Sequence, residues 1–179
     1  MSPDYSWYEI VNDDSLFQGD LIANCPILQP PPDIPLEDEA TVSEEVGYQT
    51  YDVVVMSQSC DLLAGKVDLV LLSSYWTVGE MQEHNPDHAT SGFLEKIRRG
   101  NIPGYHMLNN PGIEGFPDDH LVVDFRSTFS VPIEFLQRFA ERSSPRLRVL
   151  PPYREHLSQA FARFLMRVGL PEDIPRFEN

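Results

Sequence analysis

The stretch YDVVVMSQSCD at residues 51–61, followed by VDLVLL at residues 67–72, decides the fold. Each apolar run has the length of a strand, is rich in β-branched residues and is bounded by polar residues, as in the central strands of a sheet. The link between the runs contains Gly65, which can take the positive φ of a tight turn. The two runs predict neighbouring strands, with the polar segment Ser57–Asp61 as a turn at the rim of a rigid core.

This turn is the first candidate for a functional site. All five of its residues are candidate binding residues, namely Ser57, Gln58, Ser59, Cys60 and Asp61, and the candidates for catalysis are Cys60, Asp61 and Ser57. A nucleophilic cysteine needs a nearby base or a helix N-terminus, and spacing fixes no histidine next to Cys60. Asp61 beside the thiol would raise its pKa. The pattern therefore favours a buried structural thiol, with Asp61 capping the turn, over a nucleophile.

The remaining elements indicate an α+β protein forming a single domain over residues 1–179. Further strands are predicted within residues 5–28 and at 105–108, 120–126 and 146–150. Helices are predicted at 77–84, at 90–100, from Pro132 onward, and at the C-terminus over about 153–168. Because strands dominate early and helices late, we expect an α+β fold rather than an alternating α/β fold. The expected architecture is a small β-barrel or a strongly bent antiparallel sheet with peripheral helices and a C-terminal helix.

The charge is distributed unevenly along the chain. The net charge is −15, and residues 1–50 hold eleven acids with no Lys or Arg. Residues 29–47 contain four prolines and six acids, which predicts a long acidic loop. A partner surface would be formed by its acids Glu37, Asp38, Glu39, Glu44 and Glu45. Seven arginines lie between Arg138 and Arg167 and predict an arginine-rich face. One interpretation is that the two ends pair within the molecule or simply keep it soluble. Alternatively, the acids dock a basic protein, or the arginine-rich face contacts RNA or an acidic partner.

Composition excludes several classes of protein and site. The net charge disfavours binding to RNA or DNA through their phosphates. No apolar stretch is long enough for a membrane span and no secretory signal begins the chain, so we expect a cytoplasmic protein. Without a Cys-x-x-Cys pair, and with Pro86 between His84 and His88, we expect no metal site and no cofactor. Arg126 is a further candidate binding residue, because an arginine on a core strand usually has a carboxylate partner or a ligand.

Three short motifs resemble the PemK/MazF-type toxin family over residues 16–77. They are the Gly19-Asp20-Leu21 strand opening, the VVVMS run at 53–57 and the LVLLSS run at 69–74. The resemblance implies a small SH3-like barrel and, in many members, a metal-independent endoribonuclease neutralised by an acidic antitoxin. It implies that Gly19, Asp20 and Ser57 match the family pattern, and that Ser73, Ser74 or Thr77 takes the place of a functional hydroxyl. Where the family has a catalytic arginine, residues 44–50 contain no base.

Two functions follow as expectations. The first is an acidic protein-interaction module without ribonuclease activity, which binds a basic protein partner. The alternative is a toxin-like endoribonuclease or another hydrolase, metal-independent, with its site at the Ser57–Asp61 turn. Because no complete catalytic set can be assembled from the sequence, the interaction module is favoured.

Overall fold

The computed structural model describes residues 5–30 and 47–166, which form one antiparallel sheet of seven strands with helices packed on it. The strands are β1 (Tyr8–Val11), β2 (Asp20–Leu28), β3 (Tyr48–Val55), β4 (Leu69–Thr77), β5 (Tyr105–Leu108), β6 (Leu121–Pro132) and β7 (Arg146–Val149). The helices are α1 (Ser59–Leu63), α2 (Val78–His84), α3 (Ser91–Arg98), α4 (Ile133–Arg142) and α5 (Tyr153–Leu165), with a 3-10 turn at Pro86–Ala89.

The spatial order of the strands is β1-β7-β2-β3-β4-β6-β5, and this sheet is not closed into a barrel in the described ranges. The predicted α+β class is confirmed, with an open antiparallel sheet and a C-terminal helix. Among the described helices, none combines the length and the hydrophobicity that crossing a membrane requires.

Both faces of the sheet are covered, which explains why the central runs are apolar throughout. On one face Val54 joins a core that includes Leu157 of α5, with Phe161 and Phe164 packed against it. On the other face Val53 and Val55 pack with residues of α1 and α4, namely Leu62, Leu136 and Ala140. A third cluster packs α2 and α3 through Met81 and Ile97 against Tyr105 and Val122.

Two irregularities bend the sheet. The pairing of β2 with β3 shifts register between Ile22 and Cys25, where Asn24 has a φ of 53°. The pairing of β4 with β6 shifts between Ser73 and Ser74, and three residues of β6 bulge out opposite that step. Such bulges increase local twist and strand bending.

The strands β3 and β4 diverge and form a fork. Their ladder consists of three pairs, from Val53↔Ser74 to Val55↔Leu72. Before Val53, β3 continues only along β2, and after Ser74, β4 continues only along β6. The described strands thus leave an opening in the sheet between residues 48–52 and residues 75–77.

The predicted arginine-rich face is wrong for β7, because its arginines are buried. Arg146 and Arg148 are 2% and 8% exposed and both bind the carboxylate of the fully buried Asp20. The Nε of Arg146 donates to Asp20 Oδ2 at 3.1 Å, and Nη2 of Arg148 does so at 3.0 Å. Asp13 and Glu9 add outer ion pairs at 3.7 and 3.6 Å. The prediction that the acidic and arginine-rich ends pair within the molecule is confirmed for these residues.

Candidate functional site

The segment Ser57–Asp61 is not a free turn, because helix α1 begins within it at Ser59. Its hydroxyls bind backbone amides: Ser57 Oγ accepts from Leu71 N at 2.8 Å, and Ser59 Oγ accepts from Gln18 N at 3.1 Å. The predicted capping role of Asp61 is wrong, since no side chain caps α1 and the Asp61 carboxylate lies 3.7 Å from Lys66 Nζ. The two serines therefore hydrogen-bond the start of α1 and the residue pair before it to β4 and to the loop before β2.

A cleft of about 450 Å³ separates this segment from α5, and we call it the turn cleft. Its lining consists of Gln18, Gln58, Ser59, Cys60, Arg154, Glu155, Ser158 and Gln159. Gln18 and Gln58 both donate through Nε2 to Ser158 Oγ, at 3.2 and 3.0 Å. Arg154 lies at the start of the C-terminal helix, and the fold brings it to the same cleft as Cys60.

The turn cleft lacks the parts of a nucleophilic site. Cys60 is exposed rather than buried, which corrects the expectation of a buried thiol. Its Sγ lies 3.8 Å from Asp61 Oδ1, a contact with a carboxylate rather than with a histidine or a cation. Arg154 donates to Glu155 Oε1 at 2.8 Å and is thereby paired. Within the described ranges, no histidine lines this cleft.

Arg126 does not belong to the turn cleft. Its guanidinium binds Asp124 through Nε at 2.8 Å and Nη2 at 2.7 Å, and it stacks over the Tyr105 ring at 4.3 Å. The carboxylate partner expected for an arginine on a core strand is Asp124, which lies on the same strand, and the contact of Arg126 with Tyr105 joins β6 to β5. Arg126 thus has a structural partner, and the expected binding role stays a prediction.

The predicted partner acids lie outside the described residues. They are Glu37, Asp38, Glu39, Glu44 and Glu45, within the predicted loop 29–47. Of that loop, the structure describes Gln29, Pro30 and Gly47. The backbone N–H of Gln29 donates to the C=O of Gly47 at 3.0 Å, at the end of the β2–β3 pairing.

A second cleft, which we call the acidic cleft, occupies the fork between β3 and β4. Its volume is about 350 Å³, and its lining consists of Asn24, Gln49, Thr50, Tyr51, Asp52, Ser74, Tyr75, Trp76, Glu80, Glu83 and His84. Adjacent strand residues point to opposite faces of a sheet, yet Tyr51 and Asp52 both line it. This is the geometry expected where two strands separate and the opening runs into the sheet.

Local sequence positions the acids of this cleft. Asp52 accepts a hydrogen bond of 2.7 Å from the backbone N–H of Asn24, in the bulge of β2. Glu80 and Glu83 are three residues apart on α2, so they share one side of the helix. Thr77 and Glu80 form a capping box, which fixes the start of α2 directly after β4.

The acidic cleft carries an uncompensated negative charge. No Lys or Arg is among its described lining residues, and none of its three carboxylates has an ion-pair partner in the part of the chain that the structure describes. Burial raises the pKa of Asp52, and the charge of Glu80 raises it further. The hydrogen bond from Asn24 acts in the opposite direction but does not cancel these effects. Burial and the charges of Asp52 and Glu80 also raise the pKa of Tyr75. Each shift reports the cost of adding negative charge there.

One side chain in the cleft has an unused polar atom. Ser74 is 2% exposed, and its Oγ has no hydrogen-bond partner among the described residues. Buried hydroxyls are usually paired, so an unpartnered hydroxyl in a residue that lines a cleft is consistent with a water or a ligand group bound there. Ser73 has the same property but does not line this cleft.

The two histidines considered as a metal pair do not share a site. His84 lies against Trp76, with ring centroids 4.7 Å apart, and His88 stacks on Phe93 at 4.4 Å. Among the described residues, no group of three or more His, Cys, Asp or Glu side chains could hold a metal ion.

The acidic cleft is not among the sites predicted from the sequence. A signal for it was present in Asp52, a charged residue within a run of strand formers, and in the i, i+3, i+4 spacing of Glu80, Glu83 and His84. Their convergence was not visible, because it depends on the fork.

In comparisons with known proteins, no family model matches the chain and no curated protein matches it significantly. The resemblance to PemK/MazF-type toxins stays a prediction.

Proposed function

We propose that the protein is a non-catalytic interaction module that binds a basic segment of a protein partner in the acidic cleft. The observation that carries this proposal is the presence of three carboxylates in one cleft with no cation among its described lining residues. Asp52 is partly buried and Glu80 and Glu83 are exposed, so the mutual repulsion of these charges is relieved only in part by solvent.

A bound cation would relieve this unfavourable electrostatics. The raised pKa of Asp52 indicates that its charged form is destabilised by burial and by Glu80. An ammonium or guanidinium group between these side chains would stabilise the charged form and gain binding free energy. The net charge of −15 would also steer basic partners toward the protein and repel nucleic acid.

The enzymatic alternative has less support. A hydrolase or toxin-like ribonuclease at the turn cleft would need a base for Cys60 or a free cation for the substrate phosphate. The contact of Cys60 with Asp61 and the pairing of Arg154 with Glu155 provide neither. We therefore prefer the interaction module to the hydrolase. We also propose that the protein is cytoplasmic, because both cysteines are free thiols.

Binding of defined peptides tests the proposal. The probes are fluorescein-labelled peptides of equal length whose net charge is strongly positive, zero or strongly negative, titrated with the full-length protein. We expect the basic peptide to bind, with an affinity that falls steeply as salt is raised to about 0.5 M. Equal binding of all three peptides, or no binding of the basic one, would contradict the proposal.

Two charge-matched variants localise the binding. Asp52→Asn/Glu83→Gln removes two charges from the cleft, and Glu134→Gln/Glu141→Gln removes two exposed charges from α4. We expect the first variant to lose most of its affinity and the second to retain it. Equal losses would show that only the overall charge matters. Charge reversal of Glu37, Asp38 and Glu39 tests the predicted partner surface in the same assay.

A further inference from the structure

We infer that the acidic cleft is a socket for a single arginine side chain of the partner, with the guanidinium held between Asp52 of β3, Ser74 of β4 and the acids of α2. The inference rests on the proposed function and specifies which cation the site recognises. It is carried by the arrangement of the acceptors, by the aromatic lining and by the orphan hydroxyl.

The acceptors approach from different elements. Asp52 belongs to one arm of the fork, Ser74 to the other, and Glu80 and Glu83 belong to the helix that follows. A guanidinium has five N–H donors that diverge in one plane, so it can bind acceptors on several sides at once. An ammonium group has three donors at a single point and is more strongly hydrated, which makes its transfer into a cleft more costly.

The aromatic lining favours the same ligand. Tyr51, Tyr75 and Trp76 all line the cleft, and Trp76 is only partly buried. Guanidinium planes stack on aromatic faces and gain cation–π attraction there. The fold already uses this contact twice, with Arg126 over Tyr105 at 4.3 Å and Arg148 over Phe17 at 4.2 Å.

Ser74 supplies the most specific argument. Ser74 lines the cleft, its buried hydroxyl lacks a hydrogen-bond partner among the described residues, and a hydroxyl oxygen can accept from a guanidinium N–H. In the unbound protein the hydroxyl contributes nothing through hydrogen bonding, so its loss costs the fold little. Ser73, the neighbouring orphan, is the matched control because it does not line the acidic cleft.

The buried Asp20 gives an example, within this protein, of a strand carboxylate that binds guanidinium groups. Asp20 lies between two arginines of β7, Arg146 and Arg148, and it accepts hydrogen bonds from both. There the cations are supplied by the protein itself. In the acidic cleft, a carboxylate on β3 lacks such a cation among the described residues, and the partner would supply it.

Three peptides that differ at one position test the inference. They carry arginine, lysine or citrulline in an otherwise identical basic sequence, and their dissociation constants for the full-length protein are measured by fluorescence anisotropy. Citrulline keeps the shape of arginine without its charge. We expect the arginine peptide to bind about ten-fold more tightly than the lysine peptide, and the citrulline peptide to bind most weakly.

Two serine variants then locate the guanidinium. We expect Ser74→Ala to weaken binding of the arginine peptide by about ten-fold, the loss of one hydrogen bond to a charged group. Ser73→Ala should leave binding unchanged. Urea unfolding of both variants verifies that they are folded, and Glu83→Gln on the exposed rim tests the same site without a buried substitution.

The outcomes separate this inference from the proposed function. If the arginine and lysine peptides bind equally well, and Asp52→Asn/Glu83→Gln abolishes the binding of both, the arginine socket is wrong. The proposal of a module that binds a basic partner would still hold. Equal effects of Ser74→Ala and Ser73→Ala would also overturn it. Displacement of the arginine peptide by an equimolar divalent metal would identify a metal site instead. If none of the peptides binds, both proposals are wrong.

Discussion

The backbone N–H of Asn24 donates to Oδ1 of Asp52 at 2.7 Å and thereby joins the bulge of β2 to the acidic cleft. Asn24 has a φ of 53°, a left-handed conformation that asparagine adopts more readily than most residues. The bulge gives Asp52 a hydrogen bond but no counter-charge, and desolvation raises the pKa of its carboxyl group. The protein thus holds a destabilised carboxylate in a fixed position.

The first prediction concerns Asp52→Asn, which should stabilise the protein and weaken its binding. The amide oxygen can still accept from Asn24, while the cost of the buried charge disappears. Because the folded-state pKa is raised, this cost is absent below the ordinary pKa of aspartate and appears as pH rises through the folded-state value. We expect a gain of about 0.5–2 kcal/mol at pH 7 that vanishes in acid, measured by urea unfolding. A loss of stability at pH 7 would contradict this account.

The second prediction concerns the buried pairs of Asp20. Asp20→Asn removes the charge that compensates Arg146 and Arg148, which are almost fully buried. We expect the free energy of unfolding to fall by about 3–5 kcal/mol. Asp13→Asn is the matched control, because Asp13 is 65% exposed and lies 3.7 Å from Arg146, and exposed ion pairs contribute little to stability. Similar losses in the two variants would show that the buried ion pairs are not critical.

Most of the elements could be predicted from local sequence. The apolar runs indicated β3 and β4, and Thr90 and Gly100 marked the limits of α3, whose N-cap is indeed Thr90. Helix α1 was missed because five residues, Ser59–Leu63, are too few for a hydrophobic period to show. Its neighbours, not its own pattern, stabilise it.

The site could be predicted only in part, because it depends on pairing between distant strands. The sequence predicted strands at β3 and β4, but it contains no signal that their ladder stops at Val53. The acidic cleft exists because the β3–β4 ladder stops at Val53. Similarly, alternation correctly placed Arg146 and Arg148 on one side of a strand, but only the position of Asp20 on the neighbouring β2 shows that this side is buried.

The third prediction uses the two cysteines as probes of the fold. Cys60 is exposed, whereas Cys25 is fully buried and burial raises the pKa of its thiol to about 11. We expect a thiol reagent at pH 8 to label Cys60 rapidly and Cys25 only upon unfolding, as read by mass spectrometry. Cys60→Ala should leave one slow site and unchanged binding of basic peptides. Loss of an RNA-cleaving or growth-inhibiting activity in this variant would instead favour the hydrolase.

The fourth prediction concerns the pH dependence of stability at His106, which stacks on Phe125 with ring centroids 6.2 Å apart. Burial, followed by the positive charges of His156 and Arg163, lowers the pKa of His106 to about 4. Because the folded-state pKa is lowered, the unfolded state binds the proton at a higher pH than the folded state does. The free energy of unfolding is therefore highest above the ordinary pKa of histidine. It falls as pH falls toward 4, by about 1.4 kcal/mol per unit of pKa difference. His106→Phe should therefore flatten the decline in the free energy of unfolding between about pH 6.5 and pH 4. His120→Phe, at an exposed position, should keep the decline of the unmodified protein, and an equally steep decline in both variants would assign the acid sensitivity to other groups.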